Sequence, residues 1–271
     1  MRAGKTTGNP PASNAFLQCS NCKKTLFRRE FEQNLMVCPA CDHHHRMSAE
    51  QRIEATFDEG TFEELDANLT SIDTLTFPDY AEKLEQAIAK TGRNDGMIAG
   101  KADIVGQPCY VALSEFAFMG GSMGSVAGEK VTRTLERAAK DRIPAVIFCT
   151  SGGARMQEGL LSLMQMARTT AAAELCRQAG APFITVFTDP TMAGVLASYA
   201  SIADVILCEP KALVGFAGAR VSKQAQVVKA PDNFQSAEFC LQKGMVDRVV
   251  HRRELRDTLG SLAAMLAGGV R

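Results

Sequence analysis

The sequence lacks any global charge: its 271 residues carry 30 Lys and Arg against 30 Asp and Glu. Nothing in that balance steers the chain toward nucleic acid or an anionic membrane. No run approaches the roughly 18 apolar residues of a membrane span, and the opening MRAGKTTGNPPASNAF contains no apolar signal core. The chain therefore reads as soluble and cytoplasmic. Histidine is scarce: His43, His44, His45 and His251 are the whole supply, and all lie outside the glycine-rich region described below. Ser151 lies in TSGGA and lacks the GxSxG elbow, no Walker lysine follows a glycine loop, and no GxGxxG is present. These absences remove the usual nucleophile dyad, the P-loop and the dinucleotide fingerprint. Chemistry is left to backbone groups.

Cysteine is not lacking, but its placement excludes a disulfide framework. Of nine cysteines, four fall in CxxC pairs and the others are scattered through apolar segments such as Phe148-Cys149 and Leu207-Cys208, as in a reducing compartment with a metal site. Fifteen residues separate Cys19-Ser-Asn-Cys22 from Cys38-Pro-Ala-Cys41. Each CxxC turn aims two thiolates at one point, and the two turns complete a tetrahedral site for one structural Zn2+. Four thiolates leave no open position for chemistry, so the metal folds a ribbon, contributing about 10 kcal/mol or more. His43, His44 and His45 are alternative ligands in principle and read better as a solvated run after the knuckle. Lys23, Lys24, Arg28 and Arg29 give the ribbon a basic edge able to touch RNA, DNA or coenzyme phosphates. Glu30, Glu32 and Asp42 dilute that edge, and aromatics for stacking single strands are few.

The pattern predicts a flexible lead-in over residues 1–14, a zinc ribbon over 15–47 and one large domain over 48–271. Ser48 reads as an N-cap with Gln51 completing a capping box, and Gly60 should end that helix. A second helix, residues 80–91, carries Tyr80, Leu84, Ala87 and Ile88 at core spacing. From Asp95 the chain repeats itself at roughly 35 to 40 residues. Apolar runs at 107–113, 145–149, 182–188 and 205–208 read as buried strands, and the first three are each followed by a glycine-bearing loop and a helix. The loops are Phe118–Gly124, Ser151–Arg155 and Asp189–Gly194. The helix 125–140 turns Val126, Val131 and Leu135 inward. The helix after Arg155 places Leu160, Leu163, Met164, Ala167 and Ala171 on one face, read as the core face, with Met156, Met164 and Met166 as core filling. Three amide-rich loops at one sheet edge form a place to hold an oxyanion, at about 2.7–4 kcal/mol per donor. The base must come from elsewhere. A stand-alone hydratase or decarboxylase would need a placed carboxylate, for which only Glu158 is a candidate, read as a helix-surface residue.

CSNCKKTLFRREFEQNLMVCPACDHHHRM, FAFMGGSMGSVAGEK, SGGARMQEGLLSLMQMA, TDPTMAGVLASYA and EPKALVGFAGARV, in this order, resemble the β subunits of bacterial acetyl-coenzyme A carboxylase, the carboxyltransferase component. The resemblance runs from about Cys19 to the C-terminus. It implies an α/β fold, a crotonase-like β-β-α spiral core with an N-terminal four-cysteine zinc ribbon. It also implies a related α subunit in an α2β2 assembly, and a holoenzyme with a biotin carboxyl carrier protein and a biotin carboxylase, where ATP enters. The implied reaction moves a carboxyl group from carboxybiotin to acetyl-coenzyme A, giving malonyl-coenzyme A for fatty acid synthesis. Carried over by position, the resemblance makes Ala193 and Gly194 the oxyanion amides, with Gly152 and Gly153 also catalytic. Gly120, Gly121, Gly124, Ala154 and Arg155 become substrate-binding residues, Arg155 as a phosphate or interface contact; against that, Arg155 also reads as a helix-capping or structural ion-pair residue. Cys19, Cys22, Cys38 and Cys41 carry over as the zinc ligands.

The chain departs from that family in three places. Ala193-Gly194 stands where two glycines are usual, Leu196 where a small polar residue is usual, and Ala219 where proline follows GFAG. An alanine keeps its N–H, but its methyl narrows the pocket and penalises positive φ. The departures fit a specialised copy that resists carboxyltransferase inhibitors or accepts another acyl-coenzyme A. A nucleic-acid role for the ribbon is the remaining alternative.

Overall fold

The computed structural model describes residues 15–217 and 231–267. The expected lead-in over 1–14 and the departure at Ala219 lie outside these residues. The chain divides into two compact units, Met1–Arg46 and Met47–Arg271.

In the first unit β1 (Phe16–Gln18) and β2 (Thr25–Phe27) pair antiparallel, with Leu17 opposite Leu26, and α1 (Arg28–Gln33) follows. Its buried apolar residues are Cys19, Leu26, Phe31 and Cys38. So small a core cannot hold a chain segment of this length unaided, which is why the four thiolates matter.

The second unit opens with α2 (Ala49–Thr56). The Ser48 Oγ accepts from the Gln51 amide at 3.2 Å, and Gln51 Oε1 accepts from the Ser48 amide at 2.9 Å, the expected capping box. The helix stops at Thr56, four residues before Gly60, because Phe57 turns extended to enter the core. Then come β3 (Glu63–Leu65), α3 (Tyr80–Thr91) closed by Gly92, and a hairpin of β4 (Met97–Ile104) and β5 (Gln107–Ser114). Next are α4 (Ser125–Asp141), β6 (Ala145–Ser151), α5 (Gly159–Ala179) and β7 (Phe183–Met192). The described chain ends with α6 (Ala193–Leu196), β8 (Val205–Cys208), β9 (Val214–Gly215), α7 (Ala237–Gln242), β10 (Arg248–Val249) and α8 (Arg252–Ala267).

The sheet order is β10-β8-β7-β6-β5-β4-β3, with β9 paired to β7. Strands β5 through β8 run parallel, so the C-terminal ends of β5, β6 and β7 deliver their loops to one edge. Alternate residues of these strands enter opposite cores. Ala112, Ile147 and Phe187 face a cluster with Leu135 of α4 and Cys176 of α5, whereas Val111, Val146 and Ile184 face Leu255 and Leu259 of α8. A strand buried on both faces needs an unbroken apolar run, the pattern the sequence shows. Strand β7 runs further than its apolar residues suggest, through Asp189–Met192, because Thr191 and Met192 pair with Val214 and Gly215 of β9. Among the described residues no helix is long and apolar enough to cross a membrane.

Candidate active site

The loops after β5 and β6 are stitched together by backbone hydrogen bonds. The Gly152 N–H donates to the Gly120 carbonyl, Met123 N–H to the Gly153 carbonyl, and Arg155 N–H to the Met123 carbonyl, each at 2.9 Å. Gly121 makes this approach possible: its φ is 62° and a Cβ there would lie 2.1 Å from the Thr150 carbonyl oxygen. The turn after β7 joins them, since a Cβ on Gly194 would lie 3.3 Å from that of Ala154. Gly120, Gly121, Gly152, Gly153, Ala154, Ala193 and Gly194 therefore meet at one place, and Gly124 lies beneath it against Glu158 and Arg155.

Their amides are not equivalent. Gly152 N–H is taken by Gly120, and Gly153 N–H donates to Ser151 Oγ at 2.9 Å, so neither amide is a free donor. They shape the wall. Ala193 and Gly194 open α6, where first-turn amides have no intrahelical acceptor. Ala193 stands at φ 49°, a left-handed conformation that costs an alanine about 1 kcal/mol. Leu196, expected to alter the same pocket, is buried in the main core with Val195 and Tyr199.

Beside the stitched loops is an open cleft of about 510 Å³. One wall is α3, through Lys83, Gln86, Ala87 and Lys90; the other is Gly120, Ser122, Gly152 and Ala154, with Met156 and Gln157 at its end. The contribution of α3 was not legible in the sequence. Its polar face carries no motif, and nothing local distinguishes a cleft wall from a solvated helix.

Behind the cleft is a buried charged cluster. The Arg155 side chain is 0% exposed, as is that of Asp95, and Glu158 is 2% exposed. Arg155 Nη1 lies 3.0 Å from Asp95 Oδ2 and 3.2 Å from Glu158 Oε1, while Nη2 donates to the Ser122 carbonyl at 2.9 Å. The Tyr80 hydroxyl donates to Glu158 Oε1 at 2.7 Å, and the Ser125 amide, opening α4, donates to Glu158 Oε2 at 2.6 Å. Burial works to raise the Glu158 carboxyl, but the Ser125 amide, Tyr80 and Arg155 outweigh it and hold the group below the usual glutamate value. Burial pushes the Tyr80 hydroxyl up to about 12. Of the two roles left open for Arg155, the structure thus shows the ion pair. Its guanidinium does not reach the cleft, and Glu158 is not on the surface.

A second correction concerns α5. Leu160, Leu163 and Met164 are 70%, 51% and 52% exposed, and Met156 is 76% exposed. The buried side of the helix is instead Ser162, Gln165, Thr169, Ala172, Ala173 and Cys176. Inward polar residues are tolerated because Ser162, Gln165 and Thr169 donate to carbonyls of their own helix. Close packing decides the rest: Gln165 lies so near Gly128 of α4 that a Cβ there would meet its Oε1 at 2.4 Å. Of the three methionines only Met166 packs against the core.

In the first unit the four sulfurs lie within 4.8 Å of one another. Cys19–Cys41 and Cys22–Cys38 sulfurs are each 3.8 Å apart, close to the edge of a tetrahedron with Zn–S bonds of about 2.3 Å. His45 Nε2 is 3.4 Å from Cys19 Sγ and Asn21 Nδ2 is 3.5 Å from Cys41 Sγ, partners that orient ligands rather than replace them. The donor set fits zinc.

Two family models cover the chain. A carboxyl transferase domain matches residues 43–260, and an acetyl-CoA carboxylase zinc finger domain matches residues 16–41. The acetyl-coenzyme A carboxylase carboxyl transferase subunit beta of a Paenibacillus species is 51% identical, covering 92% of this chain and 86% of its own. That of Citrifermentans bemidjiense is 49% identical, covering 92% and 89%. The chain belongs to this carboxyl transferase beta-subunit family. Among solved structures, transcarboxylase 12S with methylmalonyl-coenzyme A bound is similar at a TM-score of 0.69 and 26% identity. That match covers 86% of this chain and about two-fifths of the transcarboxylase chain, 42%. The crotonase-like fold with its zinc ribbon is thus the fold of a beta subunit, and a beta subunit belongs to a multi-subunit enzyme.

Proposed function

We propose that this chain is the half of a carboxyltransferase that binds acetyl-coenzyme A and holds the negative charge formed when its methyl group loses a proton and is carboxylated to malonyl-coenzyme A. The observation that carries this is the junction of three loops: Gly120, Ser122, Gly152 and Ala154 line one cleft, and the Ala193–Gly194 turn packs against Gly153 and Ala154. The cleft takes the acyl-coenzyme A. In this reading the amides of Ala193 and Gly194 receive the thioester oxygen as it becomes negative, where a preorganised donor is worth about 2.7–4 kcal/mol. Carboxybiotin, brought by a carrier protein, supplies the carboxyl group and a ureido nitrogen able to take the proton. No histidine lies in these three loops, consistent with a base from outside the chain.

The partner is an α subunit of related fold, in an α2β2 assembly that also meets the carrier protein and biotin carboxylase. What supports it is the apolar face of α5, which leaves Leu160, Leu163 and Met164 uncovered just after Met156, a residue of the cleft wall. Apolar surface of this extent next to a site marks an interface. The reading places one structural zinc per chain in the ribbon and the protein in the cytoplasm.

The test is malonyl-coenzyme A formation from acetyl-coenzyme A and carboxylated biocytin, with and without the matching α subunit. Activity only in the complex is expected. Turnover by this chain alone would overturn the assignment.

One observation favours a side role. Phe16 and Phe27 are exposed on the β1–β2 hairpin with ring centroids 5.5 Å apart, in a segment that also holds Lys23, Lys24, Arg28 and Arg29. Such a surface suits weak single-strand binding. A salt-dependent RNA shift lost on replacing the four basic residues by alanine supports it, and no shift at low salt removes it.

A further inference from the structure

Four charged side chains are buried behind the cleft, Arg155, Asp95, Glu158 and Lys130, and none of them lines it. We propose that Arg155 is a positioning residue that fixes the α3 wall against the glycine loops and thereby sets how tightly the cleft grips an acyl-coenzyme A; this rests on the function proposed above.

The guanidinium reaches both walls at once. Toward the loops, Nη2 donates to the Ser122 carbonyl at 2.9 Å and Nε to Ser122 Oγ at 3.2 Å. Toward α3, Nη1 lies 3.4 Å from the hydroxyl of Tyr80, the first residue of that helix, and 3.0 Å from Asp95, four residues beyond its end. Ser71 donates to Asp95 at 3.2 Å and lies 3.0 Å from the same Nη1, tying in the segment before the helix. Start, end and approach of α3 therefore converge on one cation. The apolar contact between the walls is small, Tyr80, Leu84, Ala87 and the partly buried Ile88 against Phe118 and Met119, and Arg155 stacks over the Phe118 ring at 5.6 Å. Space is tight as well: a Cβ on Gly124 would lie 2.3 Å from Glu158 Oε1 and 2.8 Å from Arg155 Nη1.

A buried ionic cluster is weak support for stability, because its desolvation offsets its attraction; what it does supply is one geometry in place of several. A wall held only by apolar contact can slide, whereas a wall held by directional bonds to a buried cation cannot without breaking several of them. Lys130 Nζ donates to the Met97 carbonyl at 2.8 Å, two residues from Asp95, and adds a second cation near the Asp95 carboxylate.

The test uses this chain assembled with its partner subunit in Tyr80→Phe, Ser71→Ala and Arg155→Lys forms. Tyr80→Phe keeps the ring and removes one hydroxyl. It is expected to raise KM for acetyl-coenzyme A about two- to tenfold, as loss of one buried hydrogen bond does, with kcat and the KM of the carboxybiotin donor held. Ser71→Ala should act in the same direction and Arg155→Lys more strongly. Calorimetry with coenzyme A on the same complexes should show Kd shifting in parallel. Because calorimetry needs no turnover, weakened binding in variants of a complex that makes no malonyl-coenzyme A would overturn the proposed reaction and keep the positioning role. Unchanged KM and Kd in Tyr80→Phe and Ser71→Ala, or a fall in kcat with KM unchanged, would overturn the positioning role. Should Arg155→Lys fail to assemble, the two milder variants decide.

Discussion

The methyl group of Ala193 occupies the space a side chain on Gly153 would need: a Cβ at position 153 would lie 2.7 Å from it. The two residues come from the turns after β7 and β6, which meet there. Ala193 accepts a left-handed φ of 49° to be there, and Gly153 stands at φ 123°, outside the range of ordinary side chains.

Two sites in contact should couple. Gly153→Ala is expected to destabilise the chain by about 2–3 kcal/mol, from overpacking and from an unfavourable φ. Adding Ala193→Gly should recover about 1 kcal/mol of that, since the clash goes but the φ of residue 153 stays. Denaturant unfolding of both single variants and the double gives the coupling directly. Simple additivity would mean the turns do not touch in solution.

Zinc removal should act on the ribbon first. A chelator, or Cys22→Ser, is expected to take the metal content from one per chain to none and to expose residues before Met47 to protease, leaving the second unit intact. The loss of about 10 kcal/mol of metal binding exceeds what four buried apolar residues can replace. Metal analysis with limited proteolysis checks it, and a ribbon that stays protected without zinc contradicts it.

Glu158 sets a sign for pH. A carboxyl whose folded pKa lies below its ordinary 4.5 binds fewer protons folded than unfolded. Its stabilisation is full above that value and is lost as pH falls through the lower, folded pKa. Asp66 behaves alike, lowered first by Arg137 and then by Arg133 against burial. Stability should therefore hold from neutral pH to about 5 and fall below it. Glu158→Gln should cost about 1–3 kcal/mol at pH 7 and flatten the acid slope, because the amide cannot titrate. Melting temperature against pH reads both.

The exposed stripe on α5 predicts separation of folding from assembly. Leu160→Lys with Met164→Lys should change the stability of the isolated chain by no more than about 0.5 kcal/mol, as surface changes do. The same pair should abolish co-elution with the α subunit, because two charges would be buried in an apolar contact. Size-exclusion chromatography and a thermal melt suffice; co-elution of the double variant would place the interface elsewhere.

Much of this was legible locally. The capping box at Ser48 and Gln51, the bounds of α3 and the strand runs at 145 and 205 follow from short-range rules that the structure obeys. The inversion of α5 did not follow, because Leu160 and Met164 read as a core face unless it is known that Gly128 of α4 admits Gln165 on the opposite side. Strand β4, with its glycine and lysine, was missed because its burial comes from β5 and α8 rather than from its own pattern. Glu158 looked like a surface residue because Tyr80, 78 residues away, is invisible to any window.

The sequence by itself marked the four-cysteine cluster, since CxxC geometry is local, and the three loops, since each glycine turn is written into a few consecutive residues. It also determined the family, through motifs long enough to be specific. Only the tertiary structure decided which amides in those loops are already taken, that α3 walls the cleft, and that Arg155 braces the site from behind. Each of those depends on a distance between segments far apart in the chain, and such distances are set by packing across the sheet, which no single stretch of residues encodes.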